Sequence, residues 1–437
     1  LTEFRSLSVK SLTRVEGEGA LRLRIADGRV EIAEFNIYEP PRFFERLLRG
    51  REIREVPDIT ARICGICPVA YQLTACQALE KSLGIEVGPE IRQLRRMLHW
   101  AEWVQSHALH IHLLDAPDFL GCESGFSMPP EHAGFLDRGL RLKSIGSRVM
   151  EVIGGRAVHP INVTIGGFYR SPAATVVQEL VPDLEWGLAA AFDTLREVAD
   201  FEFPNLELPY EFLSLREADE YPLNSGRVVA TAGGQTTLDV PVESFGRHFS
   251  ERQVPHSTAL HALLQPGDRI YRCGPLSRMA HCREQIPPRA RAAAEACGVD
   301  WPSRNPFHAI VARSIEVAAA FEELLEFARS YTPPAACRVE FSPRAGVGCH
   351  ATEAPRGLLY HRYEITADGL VAAATIVPPT SQNQARIEED LRQYLPTLHD
   401  RDDAEATRRC EHLVRTYDPC ISCATHFIRL ERTPTPS

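Results

Sequence analysis

The sequence predicts an α+β fold, a central bundle of long helices with β-rich lobes attached at its periphery. Three observations lead there. Two stretches carry apolar residues at steps of three and four, three others alternate or turn in the manner of hairpins, and no composition boundary, internal repeat or low-complexity linker divides them. The whole span 1–437 is therefore expected to be one domain, with β-rich lobes near 17–40, 204–246 and 361–378. A hydrophobic content of 44% in 437 residues is ample for a deep core.

The first lobe rests on "LRLRIADGRVEIAEFNIYE", where Leu21, Leu23 and Ile25 share a face, Asp27-Gly28 forms a turn, and Val30 and Ile32 return. From 89 to 115, Leu94, Met97, Ala101, Val104, Ala108 and Ile111 make a heptad-like stripe on a long helix. Leu180, Leu184, Leu188, Phe192, Leu195 and Val198 make a second, and two such helices suggest a bundle. The stretch 204–246 turns to Pro, Gly and short β-like runs, and "YEITADGLVAAATIVPP" reads as a further hairpin. Helical pattern resumes at 313–331, 383–395 and 402–416.

A formal net charge of −10 argues against a nucleic-acid surface and leaves proteins or small molecules as the expected partners. No apolar run approaches the roughly 20 residues needed to span a bilayer, and "LTEFRSLSVK" has no apolar signal core, so a cytoplasmic location is expected. The 12 cysteines are scattered through a large chain, as in a reducing compartment with free or metal-bound thiols.

Four of those cysteines form two CxxC pairs. Cys64 and Cys67 lie in "ARICGICPVAY" and Cys420 and Cys423 in "YDPCISCATH", more than 350 residues further on. A CxxC turn lets both sulfurs face one metal, and four soft sulfurs suit zinc, an Fe-S cluster or another thiophilic ion. Zinc ribbons usually place their pairs about 15 to 20 residues apart, so a local zinc knuckle does not account for this spacing. A structural zinc site and a buried catalytic metal both stay open at this point.

The flanking residues resemble the two signature segments of the large subunit of [NiFe] hydrogenases. "SLTRVEGEG", "GGRAVHP", "EAPRG" at 353–357 and "PPTSQNQ" at 378–384 extend that resemblance over essentially the whole chain, in the family order. It implies the [NiFe] hydrogenase large-subunit fold and an enzyme that splits H2 reversibly. Cys64 and Cys420 would be terminal thiolates on nickel, and Cys67 and Cys423 would bridge nickel to an iron carrying one CO and two cyanides. H2 is nonpolar and a very weak acid, so soft metals must polarise it before any side chain can take a proton. Cys420 would be the first proton acceptor and Glu16 of "RVEGEG" the relay beyond it. Arg356 would orient H2 and pair with Asp418, since an arginine is a poor base. Arg356 and Thr380 would serve the cyanides, with Pro355 and Pro379 shaping the walls. Taken without the resemblance, Glu16 reads as a surface partner of Arg14, and "PPTSQ" as a helix start with an N-cap Thr or Ser.

The resemblance also implies a Mg2+ site from Glu45, His426 and a backbone carbonyl near Ile376, completed by water. His107, His110 and His112 have ligand-like spacing but read as core histidines, because the resemblance assigns no metal there. Tyr71 stands where most of the family has His; its hydroxyl could donate but not carry positive charge. With its neighbours it resembles the cytoplasmic sulfhydrogenase branch, heterotetramers linked to NADP(H). That implies a small subunit with Fe-S clusters and diaphorase subunits with flavin and the NAD(P) site, in keeping with the lack of any dinucleotide fingerprint here. The tail "FIRLERTPTPS" follows His426, where family precursors are trimmed. Two other readings remain: a redox-inactive relative acting as a scaffold, as in respiratory complex I, and a structural Zn(Cys)4 protein.

Overall fold

The computed structural model describes residues 4–26 and 29–425. Strands β1 (Phe4–Val9), β2 (Gly19–Ala26) and β3 (Arg29–Ile37) form an antiparallel sheet in that order. Leu21 and Leu23 are buried as expected, but the register shifts between Arg24 and Ile25. Such a bulge moves the following side chains to the other face. The inward residues of β3 are consequently Ala33, Phe35 and Ile37, while Val30 and Ile32 are half-buried. The expected turn at Asp27-Gly28 lies outside the described residues.

Helix α1 (Phe44–Leu48) leads into α2 (Pro68–Leu83), α3 (Pro89–Leu109), α4 (Ala133–Gly154) and α5 (Val181–Ala199). The six stripe residues from Leu94 to Ile111 are all buried, and the helix runs on into a π-helical turn over His110–Asp115. The second stripe lies on α5 and its N-cap Leu180, with Phe192 alone of its six residues half-exposed. Sequence periodicity missed α2 and α4 for different reasons. Almost every residue of α2 is buried, so it has no polar face and no amphipathic period. Helix α4 carries Gly139 and Gly146 inside it, residues that ordinarily weaken helices. A Cβ at Gly139 would lie 2.2 Å from the His112 ring, and one at Gly146 2.9 Å from the Ala101 carbonyl oxygen, so close packing on α3 requires glycine.

Next come β4 (Glu211–Arg216), β5 (Arg227–Ala232) and β6 (Gln235–Val240) as one meander, and β7 (Phe249–Gln253) and β8 (Leu260–Leu264) as a hairpin. Helix α6 (Pro275–Cys282) precedes the long α7 (Ala309–Ser330), which packs against α3 and α5 to complete the bundle. Strands β9 (Gly346–Ala354), β10 (Gly357–Ile365) and β11 (Val371–Val377) make a third three-stranded antiparallel sheet. The expected hairpin at 361–378 is thus β10–β11, with β9 added on its other side and laid against α2. Helices α8 (Pro379–Tyr394), α9 (Asp403–Arg415) and the single turn α10 (Ile421–Ala424) close the chain. The N-cap of α8 is Pro378 with Pro379 at the first helical position, correcting the expected Thr or Ser cap. No helix among the described residues is long and apolar enough to cross a membrane.

Candidate metal centre

The two CxxC segments meet at the buried junction of α2 and α10. Cys67 caps the N-terminus of α2, with Pro68 as its first helical residue, and Cys420 caps α10. Their sulfurs converge: Cys64 to Cys420 is 3.4 Å, Cys67 to Cys423 3.7 Å and Cys420 to Cys423 2.9 Å. All four are buried, with their ligand atoms within 4.8 Å of one another. The Ile66 and Cys67 amides donate to Cys64 Sγ at 3.3 and 3.2 Å. Burial pushes the Cys64 thiol up, but hydrogen bonds from the other three thiols and the charge of Arg356 outweigh it, so Cys64 ionises most readily. Burial pushes the Cys67 and Cys423 thiols up, and hydrogen bonds to the other three cysteines do the same for Cys420.

Glu16 belongs to this cluster. Its backbone bridges in parallel to Cys420, its carbonyl accepting the Ile421 amide at 3.0 Å. Its carboxylate lies 3.2 Å from Cys420 Sγ and accepts the Ser422 amide at 3.0 Å. Arg14 is turned elsewhere, onto Asp118 at 2.6 Å, so the pairing of Arg14 with Glu16 is not what the structure shows. Glu16 is half-buried and spans from the buried thiol toward the outside.

Arg356 is held at the tip of a two-residue hairpin turn. Ala354 pairs with Gly357, leaving Pro355-Arg356 to make the turn between β9 and β10. Gly357 has φ of 134°, and a Cβ there would sit 2.6 Å from Cys273 Sγ, so glycine is needed. The Arg356 Nε donates to the Asp418 carbonyl at 2.7 Å and Nη2 to its carboxylate at 3.0 Å; Nη1 reaches Ser106 Oγ at 3.4 Å. Burial opposes that charge, but Asp418 and the thiolates hold the guanidinium well above its usual pKa, and it stays a cation. Burial raises the pKa of Asp418. Thr380, in the first turn of α8, accepts the Cys420 amide through Oγ1 at 3.1 Å, which leaves its hydroxyl hydrogen free to donate. The Tyr71 ring is buried beside the cluster, and burial with the adjacent Cys423 and Cys67 pushes its pKa well up, so it stays a neutral phenol.

Several residues that build the site escaped the sequence analysis. Arg42 Nη2 donates to the Ile63 carbonyl at 2.6 Å and also to the Ser422 carbonyl, tying one CxxC segment to the other. Glu102 of α3 accepts the Val69 and Ala70 amides, the latter at 3.1 Å, and so caps α2 directly behind Cys67. Arg278 donates to the Ala354 and Pro355 carbonyls at 3.2 and 2.9 Å while paired with Glu316 and Glu353, fixing the turn that bears Arg356. The available signal was acid and base inside apolar runs, such as Glu102 in "HWAEWV" and Glu316 in "SIEVAAAF".

His159 of "GGRAVHP" reaches the Ala61 carbonyl at 2.8 Å and steadies the first CxxC segment. His107, His110 and His112 turn to separate partners, Glu316, the Arg415 carbonyl and the Ala108 carbonyl, and share no ligand set among the described residues. Glu45 of α1 meets Ile376 of β11, where its carboxylate accepts the Ile376 amide at 2.7 Å. His426 lies outside the described residues.

A mixed fold that brings segments around Glu16, Cys64 and Cys420 to four buried thiols, with a carboxylate and a fixed cation beside them, defines a site for a soft metal. Residues 42–145 and 310–426 match the nickel-dependent hydrogenase family, and the chain belongs to it. It is 32% identical to sulfhydrogenase 1 subunit alpha of Pyrococcus furiosus over 98% of this chain and 99% of that one. Sulfhydrogenase 2 subunit alpha of the same organism is 31% identical over 97% of this chain and all of that one, at 100%. Among solved structures, an NAD+-reducing [NiFe]-hydrogenase in the H2-reduced state superposes with a TM-score of 0.84 at 25% identity, covering 97% of this chain and 99% of its own. A Ni-Fe-Se hydrogenase from D. vulgaris Hildenborough shares the fold, with a TM-score of 0.75 at 20% identity, covering 97% of this chain and 100% of that one. The fold is that of a [NiFe] hydrogenase large subunit. The donor set fits the nickel–iron centre the family implies: four buried soft thiols lie within 4.8 Å of one another, with buried Arg356 and Thr380 on the adjoining Asp418 and Cys420.

Proposed function

We propose that this chain is the catalytic large subunit of a soluble, cytoplasmic [NiFe] hydrogenase that reversibly converts H2 into two protons and two electrons. The observation that carries this reading is the contact of Glu16 with Cys420, a carboxylate 3.2 Å from one thiol of a four-thiol cluster. Cys64 and Cys420 would hold nickel, and Cys67 and Cys423 would hold both nickel and an iron carrying one CO and two cyanides. When bound, this centre supplies the soft metal pair that makes H2 acidic. Cys420 Sγ takes the first proton and Glu16 takes it from the thiol, an exchange their contact permits without rearrangement. Arg356, locked on Asp418, keeps a fixed positive charge over the cluster and excludes water with Pro355 and Pro379. The Thr380 hydroxyl and the Arg356 backbone are assigned to the cyanides.

A Mg2+ held by Glu45, His426 and a carbonyl near Ile376 belongs to the same reading; the meeting of α1 with β11 supports it. Electrons are proposed to leave through Fe-S clusters on a small subunit to diaphorase subunits carrying flavin and NADP(H), in a heterotetramer. The similarity to a sulfhydrogenase alpha subunit and to an NAD+-reducing hydrogenase supports that part. An infrared spectrum of the purified protein, with nickel and iron counted on the same sample, tests the centre. One CO band, two cyanide bands and nickel equal to the iron of this subunit are expected, with H2-dependent reduction of NADP+. Zinc with no such bands would overturn the reading.

A further inference from the structure

Helix α8 starts at the thiol cluster with Thr380 and continues about two turns on to Glu388, which faces the β7–β8 hairpin outside the four-cysteine group. There a second group of metal-binding atoms converges. His256 Nε2 is 2.6 Å from Glu388 Oε1, and the Phe35 amide donates to the same oxygen at 3.0 Å. His261 of β8 turns its Nε2 toward that oxygen at 3.9 Å. This nitrogen has no hydrogen-bond partner among the described residues, although the His261 side chain is only 3% exposed. The three ligand atoms lie within 4.8 Å of one another. We propose that His256, His261 and Glu388 form a second metal site, separate from the thiol cluster, for one borderline divalent cation of the Zn2+ or Fe2+ kind.

The donor set selects the ion. Two imidazoles and one carboxylate suit zinc and its first-row neighbours, whereas Mg2+ and Ca2+ prefer oxygen alone and the softest ions prefer sulfur. Zinc bonds of about 2.0–2.2 Å in tetrahedral geometry put neighbouring donors roughly 3.3 Å apart. The 2.6 and 3.9 Å separations bracket that value, so small side-chain shifts close the site. Burial holds His261 at a pKa of about 4, so it is neutral at pH 7 and offers a lone pair. A buried ring nitrogen without a partner is unfavourable, and ligation would remove that cost. His256 and Glu388 are half-buried, which leaves one side open for water as a fourth ligand.

The scaffold is rigid where it matters. His261 pairs with Arg252 across the hairpin, and Gln253 Nε2 donates to the Ser257 carbonyl at 2.6 Å. Gln384, one turn before Glu388 on α8, donates to Ser257 Oγ at 2.7 Å and the Phe35 carbonyl at 3.1 Å. The histidine loop, the helix and β3 are therefore already joined, and an ion would clamp the hairpin to the helix. A further cluster, Asp115, Asp118 and His412, differs: Arg14 and Arg415 already donate to both oxygens of Asp118.

The full chain, purified in its native complex and stripped with a chelator, should take up zinc at this site. X-ray absorption at the zinc edge should show a shell of two imidazoles and oxygen with no sulfur. His261→Gln and Glu388→Gln should each weaken that uptake at least about tenfold while nickel content stays unchanged. A sulfur-containing shell, no zinc uptake, or uptake unaltered by His261→Gln would overturn the proposal. The absorption spectrum of the unaltered protein decides the matter even if a variant does not fold.

Discussion

Arg356 and Glu16 show what single side chains contribute once the thiols are assembled. Arg356 and Asp418 are both buried, and neither has water to replace the other. Arg356→Met strands the Asp418 carboxylate, and the loss of stability should be about 3–5 kcal/mol, read as a lower denaturation midpoint. Arg356→Lys keeps the charge but loses the fork that reaches both Asp418 oxygens, so it should recover only part of that loss. Glu16→Gln keeps the amide contact to Ser422 and removes the proton-carrying group. Nickel content and infrared bands should then stay as they are, while D2/H+ exchange and H2 oxidation fall about 10²–10⁴-fold. Equal exchange in both proteins would mean that protons leave by another route.

Among the elements, α2 carries the most structural demand because Cys67 is its cap and β9 lies on its flank. Gly348 of β9 has no room for a side chain: a Cβ would sit 2.0 Å from the Ala78 carbonyl oxygen and 2.7 Å from the Ser82 amide, both backbone atoms of α2. Gly348→Ala must push the sheet off the helix, and the cost should be about 3 kcal/mol in chemical denaturation. Because the same sheet carries the Pro355-Arg356 turn, nickel retention should fall as well. A variant as stable as the parent would show that the sheet can slide on α2. The helix was not legible from periodicity because it is buried all round with fewer polar residues, whereas α3 keeps polar Arg95, His99, Glu102, Gln105 and His107 between its stripe positions and α5 is half-buried.

For the whole molecule, the buried charge determines how stability depends on pH. Burial holds His99, His107 and His281 neutral with pKa of about 4, and His112 at about 3. The unfolded chain protonates these rings near pH 6.5, so between pH 6.5 and 4 it binds more protons than the folded one. Stability therefore rises with pH across that window and is lost on acidification, by about 3 kcal/mol per ring at pH 4. Glu353, pushed up to about 7 by burial, works in the opposite sense, its contribution fading as pH rises toward 7. Denaturation midpoints measured from pH 4 to 8 should fall steeply below pH 6.5. A flat profile would mean that the histidines are not buried as neutral rings.

The α+β class was legible in residue period, four soft ligands in the repeated CxxC spacing, and the family in the resemblance of six segments taken in order. The repeated CxxC singled out the four cysteines that converge, and "RVEGEG", "EAPRG" and "PPTSQNQ" pointed to Glu16, Arg356 and Thr380. Tertiary structure alone decided that Glu16 lies against Cys420 and not beside Arg14, and that Arg42 ties the two CxxC segments together. It also decided that Glu102 caps α2 and that His256, His261 and Glu388 meet. Each of those depends on a contact between residues distant in the chain. Local spacing carries no record of such contacts, since what brings them together is the packing of buried elements and not any pattern within one of them.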